Sequence, residues 1–220
     1  MAGFTVIPLL MVFYYGLTDR SGAFTLANIL AIGSSEHLKA LWLSLLLAGV
    51  STVICLILAY PLALILRKRH IGKGSFVVFI FILPMWMNFL LRTMAWQTLL
   101  EKNGVINTFL TLLHLPNVAI INTPAAIILG MVYNFLPFMV LPIYNTLVKI
   151  DDNVINAARD LGADNYQTLT KILIPLSVPG IVSGITMVFV PALTTFVISN
   201  LLGGSKILLI GNVIEQEFTK

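Results

Sequence analysis

The residues that could do chemistry in this sequence are few, and their spacing matches no catalytic motif. The three histidines, His37, His70 and His114, are scattered, so the sequence holds no His-Glu-x-x-His pair for a zinc ion. Ser183 stands beside Gly184 but lacks the Gly-x-Ser-x-Gly setting that presents a nucleophilic serine. We therefore expect no catalytic residues and no metal site, and we interpret the chain as something other than an enzyme.

Nucleotide and redox chemistry lack their motifs as well. The Gly-x-x-x-x-Gly-Lys-Ser/Thr loop that cradles phosphates does not occur, and residues 203–206, Gly-Gly-Ser-Lys, are only a turn-like fragment of it. The single cysteine, Cys55, allows no disulfide framework and indicates no redox role. We expect this chain to bind no cofactor and to bind no ATP through such a loop.

One charged residue, Arg92, interrupts a long apolar stretch, and an ionisable residue inside a membrane segment is a candidate functional group. If a helix starts at Ser75, Arg92 lies about 25 Å along it, close to the edge of a hydrocarbon core about 30 Å thick. There it would be an interfacial anchor that snorkels to water, or else a gate or an ion pair with Glu101 or another subunit. Asn88 and Trp96 share its helical face, which we predict to line a pore.

The elements that must position these residues are membrane spans. Of the 220 residues 58% are hydrophobic and only 10% are charged, against roughly 25% charged in an ordinary soluble domain. Because unpaired backbone groups are costly in hydrocarbon, each apolar run of about 20 residues should be an α-helix. The fold class is therefore all-α, a polytopic transmembrane helix bundle. We count five spans, Met1–Thr18, Ala40–Leu66, Ser75–Leu91, Leu115–Val148 and Ile172–Ser205.

Basic residues set the orientation of these spans. Residues 67–73, Arg-Lys-Arg-His-Ile-Gly-Lys, hold 4 of the 13 basic residues, and basic residues in short loops beside spans stay cytoplasmic. The net charge of +4 is therefore a topology signal rather than a nucleic-acid surface. Alternation then places the N-terminus and the loops 67–74 and 149–171 in the cytoplasm.

Two runs carry small residues at the spacing that lets helices pack closely. In the second run, small residues recur every three or four positions from Ala40 to Ala63 and stack on one helical face. The fifth run holds Gly180 and Gly184, a Gly-x-x-x-Gly pair that permits the same close approach. Both features predict helix packing rather than chemistry.

The segment 151–175, which we call the elbow, is too long for a bare connector, since most helix connections have ~2–8 residues. Asp151 can cap a short helix, and Gly162 supplies the left-handed conformation that ends one. Asp164, with Gln167 three residues later, resembles a capping box that starts a second helix. We predict a helix, a glycine turn and a helix on the cytoplasmic side.

The elbow is also predicted to expose apolar residues. Val154, Ile155, Ala158 and Leu161 fall on one face of the first helix, and Tyr166, Leu169 and Leu173 form a stripe on the second. An apolar patch that faces the cytoplasm and carries the small pair Ala157-Ala158 would suit docking into a groove on a partner.

At these residues the sequence resembles the permeases of binding-protein-dependent ABC importers. Their signature is Glu-Ala-Ala, three residues, glycine, nine residues, and Ile-x-Leu-Pro, and the spacing of this chain matches it throughout. Asn156 stands in place of the acid and Ile174 in place of leucine. The resemblance implies that ATPase coupling depends on Asn156, Ala157, Ala158, Asp160, Leu161, Gly162, Ile172 and Pro175.

Three other stretches, residues 136–142, 157–163 and 208–214, look like those of the permeases of spermidine and putrescine importers, and the likeness covers nearly the whole chain. It implies the type I importer (MetI-like) permease architecture, with a sixth span expected beyond Lys220. It also implies one permease domain over 1–220 in the cytoplasmic (inner) membrane. The implied partners are a second permease subunit, a dimer of ATP-binding subunits, an extracytoplasmic substrate-binding protein and membrane lipid, with no nucleic acid.

A polyamine path would be expected to contain carboxylates, yet all 9 acidic residues lie outside the predicted spans. Either the binding protein supplies the anionic groups, or aromatic faces bind the cation. The candidates for a substrate path are Trp86, Asn88, Arg92, Trp96, Tyr133 and Tyr144. The ordinary role of each aromatic residue, in an interfacial belt or in packing, stays an alternative.

Other functions stay open beside polyamine import. The chain could serve an ABC importer of another small solute. A self-sufficient secondary carrier or channel would show intramembrane acids or an internal repeat, and we see neither. A purely structural membrane subunit is the remaining alternative, and the docking elbow argues against it.

Overall fold

The computed structural model describes residues 2–18, 22–26, 30, 32–68, 83, 85–204 and 207–219. Within them the structure is helical, and no β pairing occurs there beyond one isolated bridge between Thr18 and Phe24. The prediction of an all-α chain is confirmed. The helices are α1 (Ala2–Gly16), α2 (Ser35–Lys68), α3 (Phe89–Leu100), α4 (Val105–Leu112), α5 (Pro124–Val148), α6 (Asp152–Asp160), α7 (Asn165–Thr168), α8 (Ile174–Thr194), α9 (Val197–Gly203) and α10 (Ile210–Thr219).

Three helices of the described part are long and apolar enough to cross a membrane. They are α2, α5 and the continuous helix Asn165–Thr194 that contains α7 and α8. The apolar helix α1 has 15 residues, fewer than a full span needs. Most of the predicted span Ser75–Leu91 and residues 69–73 of the basic loop lie outside the described residues, so the count of five spans stays a prediction.

The chain forms two compact units, Met1–Leu43 and Ser44–Lys220. In the first unit, side chains of α1 such as Phe4, Val12 and Phe13 are exposed and apolar. The second unit holds α3 to α10 and most of α2, and it contains every candidate functional residue.

The pair Gly180 and Gly184 brings α8 against α5. A Cβ atom on Gly180 would lie 2.5 Å from Thr146 Oγ1 and 2.7 Å from the Pro142 carbonyl oxygen. A Cβ atom on Gly184 would lie 2.7 Å from Met139 Sδ. Only glycine leaves room for this approach, so the predicted role of the pair in packing is confirmed.

The small-residue face of α2 is buried, as predicted. Ala48, Cys55, Ala59 and Ala63 have no exposed surface. Polar groups join α2 to its neighbours in the second unit: Ser51 Oγ donates to Met131 Sδ on α5 at 3.4 Å, and the hydroxyls of Tyr60 and Ser177 on α8 lie 3.0 Å apart.

The fifth predicted run is not one helix. Helix α8 ends at Thr194, and Thr195 takes an extended conformation with ψ 132°. A separate helix, α9, then starts at Val197. Partners outside the helix satisfy the groups at this break. Asn212 Nδ2 donates to the Phe196 carbonyl oxygen at 3.4 Å, and Gly211 lies so close that a Cβ would meet the Thr195 carbonyl oxygen at 2.9 Å. The expectation of a single span to Ser205 is therefore wrong.

The fourth predicted run also begins later than expected. Residues 115–123 are irregular, and α5 starts at Pro124 because Thr123 accepts a hydrogen bond from the Ala126 N–H and proline suits the first helical turn.

Replacing Gly180 with alanine should test the close approach. The added methyl meets a backbone oxygen that cannot move aside, so we expect a loss of about 1–3 kcal/mol in stability. Gly49→Ala is the matched control, since a Cβ there has nothing within 4 Å and alanine favours helix. Thermal unfolding of the purified chain in detergent measures both, and equal midpoints for the two variants would contradict the packing assignment.

Candidate functional site

The first half of the elbow forms as the sequence predicts. Asp151 caps α6, with its Oδ1 accepting from the Asn153 N–H at 2.9 Å. Gly162 follows the helix end with φ +86°, a conformation that residues with a Cβ adopt at a cost. The predicted cap and the predicted glycine stop are both confirmed.

The second half of the elbow begins with the predicted capping box. Asp164 Oδ1 accepts from the Gln167 N–H at 2.6 Å, and Gln167 Oε1 accepts from the Asp164 N–H at 3.2 Å. From α7 the chain continues through a π-helical turn, Leu169–Leu173, directly into α8. The second helix of the elbow is thus the beginning of the span itself rather than a separate element. Pro175, which has no N–H to donate, stands at the second residue of α8, directly after the π-helical turn.

Most of the coupling candidates are exposed to solvent. Leu161 is 90% exposed, and Val154 is 45% exposed. The predicted apolar face of α6 is not exposed throughout, because Ile155 points inward and is only 8% exposed. Of the other candidates, Asn156, Ala157, Asp160, Gly162 and Pro175 are exposed, while Ala158 and Ile172 are half-buried.

An ion pair that sequence reasoning missed ties the elbow to α2. The Arg67 guanidinium donates to Asp152 Oδ1 and to the Ile150 carbonyl oxygen, each at 2.9 Å. The Arg67 side chain is only 11% exposed, so the contact is partly shielded from water. The two side chains are 85 positions apart, and no local pattern marks them as partners.

The structure brings three of the six substrate-path candidates together. Arg92 Cζ lies 5.8 Å from the centroid of the Tyr133 ring, within the range of a cation–π contact. Trp96 meets the same ring edge-on, with centroids 5.2 Å apart. We call Arg92, Trp96 and Tyr133 the aromatic cluster. A shallow cavity of about 500 Å³ is lined by Trp96 and Tyr133 together with apolar residues of α2 and α5.

Arg92 does not occupy the exposed interfacial position expected for it. It is only 6% exposed, because α3 packs against α5 and α9. A continuous helix running from Ser75 through Arg92 is also wrong, since a new helix starts at Phe89. Asn88 caps that helix: its side-chain oxygen accepts a hydrogen bond from the Leu90 N–H at 2.8 Å.

The remaining path candidates lie apart from the cluster. Trp86 is 76% exposed, whereas Tyr144 is buried and only 7% exposed. Tyr144 stands on α5 about 16 Å along the helix from Tyr133, at 1.5 Å per residue.

Comparison with known proteins gives consistent matches over this chain. The family model described as the inner membrane component of binding-protein-dependent transport systems matches residues 57–217, a range that includes the elbow and the aromatic cluster. The spermidine/putrescine transport system permease protein PotB of Haemophilus influenzae is 38% identical over 224 residues, covering 98% of this chain and 78% of that protein. PotB of Escherichia coli K12 is 39% identical over 223 residues, covering 98% and 81%. A PotB homolog of Mycoplasma genitalium is 30% identical over 208 residues, covering 93% and 71%.

The cation–π contact can be tested by changing Tyr133. Tyr133→Leu removes the ring beneath Arg92, and we expect a loss of about 0.5–2 kcal/mol in stability. Tyr133→Phe keeps the ring and should differ little from the unchanged chain. The thermal unfolding midpoint in detergent is the measurement, and a phenylalanine variant as unstable as the leucine variant would assign the effect to the hydroxyl instead.

Proposed function

The chain belongs to the family of inner membrane components of binding-protein-dependent transport systems, and from this premise we propose that it forms the membrane path of a polyamine importer. The family is a transport component rather than an enzyme, and it implies an ATPase and a substrate-binding protein as partners. In the proposed assembly this chain pairs with a second permease subunit, and two ATP-binding subunits dock at the elbow on the cytoplasmic side.

The observation that carries the coupling proposal is the exposed apolar surface of the elbow. Leu161 at 90% exposure and Tyr166 at 73% contribute little to the folding of this chain, and large apolar side chains in such positions mark interaction surfaces. The capped helix α6 holds Leu161 next to the turn at Gly162. An ATP-binding subunit with an apolar groove is the partner that this surface suits.

A displacement of the elbow has two routes into the membrane spans. The helix Asn165–Thr194 is continuous, so movement of α7 is passed along it to α8. The Arg67–Asp152 ion pair joins α6 to the end of α2. We propose that closure of the ATPase acts through both routes to exchange inward-facing and outward-facing states.

The substrate class rests on the similarity to the PotB proteins together with the chemistry of the spans. Ala40–Leu66, α5 and α8 contain no acidic residue, so a polycation would find no carboxylate there. We propose that the substrate-binding protein supplies the anionic recognition and that aromatic faces line the path.

Among the aromatic candidates, Trp86 suits this role better than Tyr133. The Tyr133 ring already faces the Arg92 guanidinium and meets the edge of Trp96, so a second cation at this ring would lie beside the Arg92 charge. Packing under Tyr133 also buries the Arg92 charge, which would otherwise repel a polyamine. Trp86 is exposed and keeps its ring available.

Uptake of labelled spermidine tests this proposal. Proteoliposomes would contain this chain, the second permease and the ATP-binding subunits, with the binding protein added outside and ATP inside. Leu161→Glu places a charge on the docking surface without touching the core, so we expect uptake to fall about tenfold or more. Leu161→Met keeps an apolar side chain and is the matched control.

The outcomes separate the alternatives. ATP-dependent uptake that Leu161→Glu abolishes supports both the substrate and the docking surface. Uptake without ATP would favour a carrier. ATPase activity stimulated by the binding protein, with no spermidine uptake, would retain the importer and reject the polyamine.

A further inference from the structure

A groove lies between α6, the end of α2 and the start of the helix that leads into α8. Its volume is about 640 Å³, within the usual range for ligand sites. Pro61, Leu64 and Ile65 of α2 and Leu169 and Leu173 of the π-helical turn make its walls largely apolar.

The rim of this groove is cationic. Among the described residues that line it, Arg67, Lys68 and Arg159 are basic and Asp152 alone is acidic. Asp152 pairs with Arg67, which leaves the charges of Lys68 and Arg159 in excess, and both of these side chains are exposed. A groove with apolar walls and a cationic rim is complementary to an anionic group attached to a hydrocarbon chain.

The length of α2 bears on the depth of the groove in the membrane. Helix α2 has 34 residues, or about 51 Å at 1.5 Å per residue, which exceeds a hydrocarbon core of about 30 Å. A core of that thickness, measured from Ala40 where the uncharged run of α2 begins, ends near Ala59, so the last two turns, from Pro61 to Lys68, reach the interface. Basic pockets between spans at this depth are where anionic lipid headgroups bind.

The groove and the docking surface use opposite sides of α6. Asp152, Ile155, Asn156 and Arg159 recur at intervals of three and four and face the groove. Val154, Ala157 and Leu161 lie on the other side of the helix at the same kind of interval. A molecule in the groove therefore contacts the helix without competing for its docking surface.

Asn156 lines the groove beside Arg159 and adds no charge to it. A carboxylate at this point would repel an anionic headgroup. The amide instead offers an N–H donor to phosphate oxygens.

We propose that this groove binds one anionic phospholipid, with its phosphate between Lys68 and Arg159 and its acyl chains along the apolar residues of α2. The lipid braces α6 against α2 beside the Arg67–Asp152 ion pair. The inference is independent of which solute the transporter carries.

Native mass spectrometry of the assembled transporter, stripped of lipid in a neutral detergent, tests the site. Phosphatidylglycerol and phosphatidylcholine would be titrated separately, and we expect phosphatidylglycerol to bind at least fivefold more tightly. Each lost cation should weaken phosphatidylglycerol about fivefold, so Lys68→Gln with Arg159→Gln should remove the preference. Asn156→Glu should weaken phosphatidylglycerol while leaving phosphatidylcholine unchanged. Lys171→Gln, which removes an exposed elbow cation outside the groove, should keep the preference.

Each alternative occupant gives a different result. Equal binding of the two lipids, or a preference that survives the double variant, would overturn the proposal. Displacement of phosphatidylglycerol by millimolar inorganic phosphate would make the groove a free-phosphate site instead. Failure of phosphatidylglycerol to bind the assembled transporter would overturn the proposal as well. Because the Asn156 side chain is exposed, we expect Asn156→Glu to fold normally. An unchanged thermal unfolding midpoint of this variant is the control.

Discussion

The contact on which the second unit depends most is the approach of α8 to α5 at Gly180 and Gly184. Apolar side chains gain little by leaving lipid for one another, so helices in a membrane hold together through close packing of atoms. The absence of side chains at the two glycines lets Met139 and the backbone at Pro142 make that contact. It fixes α8, and with it the elbow at one end and the break after Thr194 at the other.

The two candidate sites depend on this frame in different ways. The elbow leaves its apolar surface uncovered and is secured at its back by Arg67, so it is held in place while remaining available. The aromatic cluster buries the charge of Arg92 beneath a ring. One site therefore leaves an apolar surface exposed, and the other keeps a charge away from solvent.

Local signals in the sequence predicted the elbow well. Caps, a glycine with positive φ and a capping box are determined by residues within four positions of one another, and Asp151, Gly162 and Asp164 all behave as expected. The small-residue face of α2 was equally readable, because one helical period defines it. Contacts between distant residues, such as Arg67 with Asp152 and Arg92 with Tyr133, leave no such trace. The break after Thr194 was missed because apolar residues continue across it, and Gly211 and Asn212, which stabilise it, come later in the chain.

The π-helical turn at Leu169–Leu173 gives the junction between elbow and span a property of its own. Such a turn holds one residue more than an α-helical turn, and one residue corresponds to about 100° of rotation around the axis. Its conversion to α geometry would turn Tyr166 and the rest of α7 through roughly a quarter turn about the helix axis, while α8 stays packed against Met139. A shift of hydrogen-bond partners over these few residues would therefore turn α7 about the helix axis without bending or unfolding α8.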